Sequence, residues 1–380
     1  MDNKTGLPFY LKISQIIIGL VAFFYVLYIG QEIILPLIYA TILAILLNPL
    51  VNKLHRKKIN RNLSILLVLL MTVIIVGILV YFISSQATMF SDTFPQLEKK
   101  FNVLVNQVVG WFADTFNIST RKVQTWINNE KAEGLKGSSA VIGQTLNTIS
   151  SVLVISFLLP VYIFMILFYK PLLLEFISRL FPSDKHATVA EVLTETKSLI
   201  QNYLIGLLLE AAIVAMLNAL GLLILGIEYA ILLGLLGALL NMIPYIGGLV
   251  ATALPMMIAL ATKPPEYAIY VLIVYLLVQF IDNNFLVPKI VASKVKINAL
   301  VSIVVVLVGG ALWGIPGMFL SIPLTAIVKV MFDRIEPLKP WGFLLGDTMP
   351  SIVKFKVRIP KKTASSAAEK PGTADKSKNV

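Results

Sequence analysis

The chain has 380 residues, of which 57% are hydrophobic and only 14% charged, and it carries a net charge of +12 with a mean hydropathy of +0.85. Soluble domains hold about 45–50% apolar residues, so water is excluded as the main solvent. The lack of cysteine rules out disulfides and thiolate metal sites. The basic residues sit in short loops and in the tail, with no aromatic-interleaved motif, so a bilayer explains them and nucleic acid is not expected as a partner.

In chain order, the apolar residues gather into stretches of about 17–25 residues, the length a helix needs to cross a hydrocarbon core of about 30 Å. Six are predicted to span: 13–29, 33–50, 63–83, 149–168, 203–225 and 268–287. The first is read as a retained span rather than a cleaved leader, because no small-residue cleavage pattern follows and Gln31-Glu32 turns the chain straight into the second. Lys53, Arg56, Lys57, Lys58 and Arg61, with no acid among them, place the loop after the second span in the cytoplasm. The amino terminus is then cytoplasmic, and residues 86–147 form an extracytoplasmic module. Phe90, Phe94, Leu97, Phe101, Leu104, Val105, Val108, Val109 and Phe112 fall on one helical face. That face packs on neighbours or on a sister subunit, or else it lies in the headgroup region. A second amphipathic arm, 171–200, is cytoplasmic by parity.

Parity beyond the fifth span is the informative part. That span runs outward and leaves Glu228 outside, while Lys289, Lys294 and Lys296 mark the next cytoplasmic loop. Residues 268–287 must cross inward to reach it, so residues 229–262 begin and end outside. As one helix they would measure about 50 Å, and Asn241, Pro244, Gly247 and Gly248 interrupt them. A re-entrant hairpin satisfies both limits. The same reasoning makes residues 298–332, broken by Gly309, Gly310, Gly314, Pro316 and Gly317, a second hairpin entering from the opposite face. Hydropathy and parity, rather than residue identity, relate the two. Broken backbone at membrane depth is tolerated only inside protein or beside a hydrated cavity, so paired broken segments point to a substrate site.

The sequence thus predicts an all-α polytopic membrane protein. It has about six full spans plus two re-entrant or broken hairpins, often counted as eight spans, with a helical extramembrane insertion. Its parts are residues 1–85, spans one to three; 86–147, the insertion; 148–202, span four and the cytoplasmic arm; 203–335, a transport core; and 336–380, a basic, largely disordered cytoplasmic tail.

Asp282 is the first candidate site residue, since a carboxylate within a span normally faces a cavity, a partner or an ion path. Gln279 lies one turn before it, and Asn283 and Asn284 adjoin it. The alternative is that Asp282 sits near the inner interface and pairs with Lys289 or Lys294. Glu210 has no basic residue in its span to neutralise it and shares a helix face with Tyr203 and Asn218. It serves either as a protonatable coupling group or as a structural hydrogen-bonding residue. In the hairpins, Asn241, Pro244, Tyr245, Gly247, Gly309, Gly310, Gly314 and Gly317 are expected to bind substrate or ion through turns and freed carbonyls. Close helix packing is the alternative for the Gly310–Gly314 spacing. Trp313 reads as an aromatic anchor or a stacking surface.

The stretches NMIPYIGG (241–248) and DNNFLVPKIVASKVKINALVSIVVVLVGGALWGIPGMFLSIPLTAIVKV (282–330) resemble the signature of the AI-2E (autoinducer-2 exporter, PerM-like) permease family. The resemblance covers most of the chain, is most specific from Gly226 to Lys329, and reaches Pro244, Gly247, Asp282, Pro288, Gly309, Gly310, Gly314, Gly317 and Pro323. It implies a multi-pass transporter of the bacterial inner membrane, homopentameric and moving in an elevator manner. The solute would be a small polar one such as autoinducer-2, exported, or Na+ (Li+) exchanged for H+. No Walker A sequence, HExxH pair or serine with a base in the spans is present, so no catalytic residue, metal site or cofactor is expected. A channel-like or structural membrane oligomer is the remaining class.

Overall fold

The computed structural model describes residues 8–116, 158–242, 247–292 and 295–348. The elements are α1 (Phe9–Ile29), α2 (Gln31–Arg56), α3 (Arg61–Phe116), α5 (Lys170–Arg179), α6 (His186–Ile224), α7 (Ala230–Asn241), α8 (Gly247–Thr262) and α9 (Glu266–Ile281). A π-helical segment, Asp282–Ala292, continues α9, followed by α10 (Ala299–Arg334) and α11 (Lys339–Leu345). The helix Leu158–Phe168, here α4, meets α5 at a bend of 62°. Among the described residues the β-structure amounts to a single bridge between Ile297 and Gly346.

The protein is an all-α polytopic membrane protein. Gln31–Arg56, Arg61–Ser85, Ser183–Ile224, Glu266–Ile290 and Ala299–Arg334 are each long and apolar enough to cross a bilayer, and α4 and α5 pass the same test only when their bent pair is counted as one span. Predicted spans 33–50, 63–83 and 268–287 fall within the first, second and fourth of these, 203–225 overruns the third by one residue, and 13–29 lies in α1. Residues 149–157 of the predicted fourth span lie outside the described residues, as do 117–147 of the insertion and the tail from 349. Large apolar side chains such as Ile74, Ile75, Val76 and Ile78 on α3 stand exposed, as lipid-facing positions must in a bilayer whose tails solvate them.

Two helices run through boundaries drawn from hydropathy. α3 continues unbroken past residue 85 to Phe116, about 84 Å in all. Residues 80–94 contain neither glycine nor proline, so nothing ends the helix where the apolar content falls. α6 likewise joins the second amphipathic arm to the fifth span over 39 residues, again with no glycine or proline before Gly206. Hydropathy marks where lipid begins, whereas helix breakers mark where helices end.

Both broken segments fold back on themselves. In the first, α7 and α8 are separate helices, and a Cβ built on Gly226, at the start, would lie 3.4 Å from Lys263 Nζ, at the end. In the second, Gly314 adopts φ 63° and ψ −146° within α10, a backbone region essentially reserved for glycine. A Cβ on Gly309 would there meet Ser321 Oγ and the Gly317 carbonyl, although 12 residues of continuous helix would part Gly309 from Ser321 by about 18 Å. The chain has turned. At the base of this hairpin, Asn298 caps α10 by accepting from the Val301 amide and donates to the carbonyls of Leu344 and Gly346.

The two bases lie at opposite ends of α6. Arg334, closing the second hairpin, donates to Glu191 and Glu195 near the α6 amino terminus. The first hairpin follows the α6 carboxyl terminus, where the Ile227 amide bonds the Leu222 carbonyl. Glu195 and Leu222 are about 40 Å apart along the helix. Ordered structure also reaches into the segment drawn from the sequence as tail. Residues of α11 pack against α10 so closely that a Cβ on Gly342 would meet Asp333. Trp341, Phe343 and Leu344 give this stretch large apolar side chains of a kind that residues 361–379 lack.

Among the described residues, three of the apolar clusters link helices distant in sequence. Ala40, Ala44, Leu47, Ile65, Val68, Ile163 and Leu167 join α2, α3 and α4. Leu222, Leu233, Ile258, Val271 and Tyr275 join the end of α6 to the first hairpin and α9. Ile42, Ile200, Leu204, Leu207, Leu320 and Ala326 link α2, α6 and α10.

Candidate functional site

Small residues let the helices around the site approach closely. A Cβ on Gly206 would lie 2.7 Å from the Ile290 carbonyl oxygen, and one on Gly234 would lie 2.6 Å from the Ala219 amide. The glycine at 206 therefore seats α6 against the π-helical segment, and Glu210, one turn further along the same face, is brought to the level of Asp282. The π-helical geometry has a local cause. Pro288 has no amide hydrogen, so the Asn284 carbonyl loses its regular helical partner and the ladder rearranges. Such segments recur at functional sites.

Between α6, the tip of the first hairpin, α9 and the start of α10 lies a cavity of about 770 Å³. Its polar lining comprises Tyr203 and Glu210 from α6, Asn241, Gly248 and Thr252 from the hairpin, Tyr275, Gln279, Asp282 and Asn283 from α9 and its extension, and Ser302 from α10. Leu207, Leu272, Leu276, Val287 and Ile322 supply apolar wall. Its described lining includes no lysine, arginine or histidine. Two carboxylates thus face a space whose other polar groups are hydroxyls and amides.

Asp282 is 2% exposed. Its Oδ2 accepts a 2.8 Å hydrogen bond from Asn241 Nδ2, which ties the hairpin tip to α9. Lys289, one of the two lysines considered as its ion partner, stands over the Phe285 ring, and the other, Lys294, lies outside the described residues. Gln279 donates to Asn283 at 3.2 Å. A Cβ on Gly248 would lie 3.2 Å from Gln279 Oε1 and 3.7 Å from Asn241 Oδ1, so glycine at this position leaves both oxygens clear.

Behind this wall is a recess of about 10 Å³ touched by Asn218, Gly237, Asn241, Gly248, Tyr275, Gln279 and Asp282, room for roughly one water-sized occupant. Three buried polar atoms here, Asn218 Oδ1, the Tyr275 hydroxyl and Asp282 Oδ1, make no hydrogen bond among the described residues. Buried polar groups are nearly always paired, and leaving each unpaired costs about 1–3 kcal/mol. Oxygen donors of this kind suit a hard monovalent cation, a water or a solute hydroxyl.

The structure therefore brings Glu210, Asn218, Asn241, Gln279, Asp282 and Asn283 together, with the Gly248 face of the hairpin beside them. Gly247 lies at the start of α8, where a Cβ would collide with the Leu240 carbonyl, so it closes the turn. Pro244 and Tyr245 lie outside the described residues. Gly309, Gly310, Gly314 and Gly317 are not in the cavity wall. Gly309 and Gly317 let the two limbs of α10 touch, Gly310 faces Met318, and Gly314 makes the turn. Trp313 donates to the Leu27 carbonyl of α1 at 3.0 Å and Tyr39 to the Pro316 carbonyl at 3.0 Å, so this tip is anchored to α1 and α2. Tyr275, Thr252 and Ser302 were not singled out from the sequence. The spacing of Tyr275, Gln279 and Asp282 at i, i+4 and i+7 was the signal for the first.

Comparison with known proteins agrees with the geometry. The family model described as AI-2E family transporter matches residues 17–336. The chain is 26% identical to YueF of Bacillus subtilis, named as a candidate transport protein, over 67% of this chain and 70% of that one. It is 27% identical to PerM of Escherichia coli, named as a candidate permease, over 55% of this chain and 60% of that one. It is 34% identical to the AI-2 transport protein TqsA of Escherichia coli, over 32% of this chain and 36% of that one. These relatives are named for transport and not for enzymatic activity.

Proposed function

The chain belongs to the AI-2E transporter family, and from that membership we propose that it is a secondary transporter carrying a small polar solute through the cavity between α6, the first hairpin and α9. The observation that carries this reading is the gathering of Glu210, Asn241, Gln279, Asp282 and Asn283 around one space of about 770 Å³, a size suited to small-molecule sites. Export of autoinducer-2 from a bacterial inner membrane is the specific assignment, supported by the name of one relative. Hairpins opening at opposite ends of α6 support alternating access from the two faces, with an elevator-like displacement of the α6–α9 unit within a homo-oligomer, a pentamer by the family resemblance.

A second reading, Na+ (Li+)/H+ exchange on the same scaffold, is favoured by the unpaired oxygens of Asn218, Tyr275 and Asp282. In that scheme Asp282 and Glu210 exchange a proton for the cation. Reconstituted proteoliposomes separate the two. Autoinducer-2, Na+ and H+ fluxes are measured in one preparation, for the wild type and for Asp282→Asn and Glu210→Gln. Saturable autoinducer-2 flux supports the first assignment, and cation-driven proton movement without it supports the second. Coupled flux surviving in both variants overturns the roles given to the carboxylates, and unsaturable conductance overturns the transporter reading in favour of a channel.

A further inference from the structure

A second polar site lies away from the transport cavity, where α2 ends, α3 begins and α4 bends into α5. A pocket of about 240 Å³ is lined by Asn52, His55, Arg61, Lys170, Pro171 and Leu174. Its cations are oriented without a carboxylate. Lys170 Nζ donates to the buried Asn48 side chain at 3.1 Å, Arg61 Nη2 donates to the Leu167 carbonyl at 3.0 Å, and His55 Nδ1 contacts the Ile59 carbonyl at 3.0 Å, which leaves Nε2 on the other edge of the ring. Glu175 on α5 is engaged by Arg179. Lys197 on α6 and Arg61 on α3 add their charges to that of Lys170. Such a crowd of like charges is relieved by an anion.

The surroundings identify the kind of anion. α5 leaves α4 at 62° and has no buried residue, yet Leu172, Leu173, Leu174 and Phe176 are exposed on it. A short helix with exposed apolar residues, bent away from a span and flanked by basic loops, suits the headgroup boundary of a bilayer. Basic pockets between helices at that level take lipid phosphates. We propose that His55, Arg61 and Lys170 form a binding site for the phosphate of an anionic phospholipid, whose acyl chains lie along the exposed apolar residues of α5. The bound lipid ties α2, α3 and α5 together at this end of the bundle.

The test uses the purified full chain in detergent, with bound lipid counted by native mass spectrometry and stability followed by thermal unfolding. Phosphatidylglycerol is expected to be retained and to raise the unfolding temperature, while phosphatidylcholine and inorganic phosphate do neither. Lys170→Gln and Arg61→Gln should each weaken phosphatidylglycerol binding about tenfold, the loss of one charge-assisted contact. Lys170→Arg should retain it, and Lys185→Gln, which is not among the residues lining the pocket, should leave it unchanged. Because Arg61 also holds the Leu167 carbonyl, the Lys170 pair decides the matter if Arg61→Gln fails to fold. Wild-type binding by Lys170→Gln overturns the proposal. Equal protection by inorganic phosphate assigns the pocket to a soluble anion and overturns the lipid, and equal loss in Lys185→Gln reduces the effect to general surface charge and overturns the site. None of these readouts depends on what the transport cavity carries.

Discussion

At the scale of single residues, the transport cavity combines paired and unpaired polar groups in a way that separates structural from functional roles. Asn241 Nδ2 bonds Asp282 Oδ2 across two elements, so truncating Asn241 would cost stability by removing that bond. Tyr275 is different. Its hydroxyl is buried without a partner among the described residues, while its ring fills the cluster at the end of α6. Tyr275→Phe keeps the ring and removes the unpaired hydroxyl, so thermal stability should be unchanged or higher by about 1 kcal/mol. If the hydroxyl meets solute or cation, flux in proteoliposomes should nonetheless fall severalfold. Unaltered flux at unaltered stability would assign the hydroxyl no role in transport. The sequence made Glu210 and Asp282 legible because charge inside a span is costly whatever the fold. Tyr275 escaped notice because a tyrosine in an apolar run carries no such signal until its partners are known.

At the scale of elements, the two hairpins share an outline and differ in what their tips do. The first brings Asn241 and Gly248 to the carboxylates, whereas the second is pinned to α1 and α2 through Trp313 and Tyr39. Parity and helix breakers were enough to read both as hairpins, since neither depends on tertiary contacts. The use of their glycines was not legible, because a glycine that admits a ligand and one that admits another helix look alike in sequence. The structure makes the distinction testable by thermal unfolding. Gly309→Ala and Gly317→Ala would drive a Cβ into backbone of the facing limb and should cost the most, at least about 3 kcal/mol where the limbs cannot separate. Gly314→Ala meets nothing within 4 Å but must hold φ 63° and ψ −146°, a strain of about 1–3 kcal/mol. Gly310→Ala meets only the flexible Met318 side chain and should cost least. A Gly310 variant as damaging as the Gly317 variant would contradict the packing seen between the limbs.

For the whole molecule, the relative placement of the hairpins is fixed by geometry, and their orientation in the membrane is a proposal resting on loop charge. Glu195 and Leu222 set the two hairpin bases at opposite ends of α6. It follows that labels placed at the two bases must report from opposite faces of the membrane, whichever face is cytoplasmic. The chain contains no cysteine, so single cysteines can be introduced without a background. Glu228 and Glu266 flank the first hairpin, and Lys296 precedes the second, while Lys58 marks the basic turn after α2. With the basic loops retained inside, Glu228→Cys and Glu266→Cys should react with a membrane-impermeant maleimide in intact cells, and Lys58→Cys and Lys296→Cys only after lysis. A fully reversed pattern would invert the topology while preserving the fold. Labelling of Glu228→Cys and Lys296→Cys from the same face would contradict the antiparallel entry of the hairpins, and with it the alternating access on which the transport reading depends.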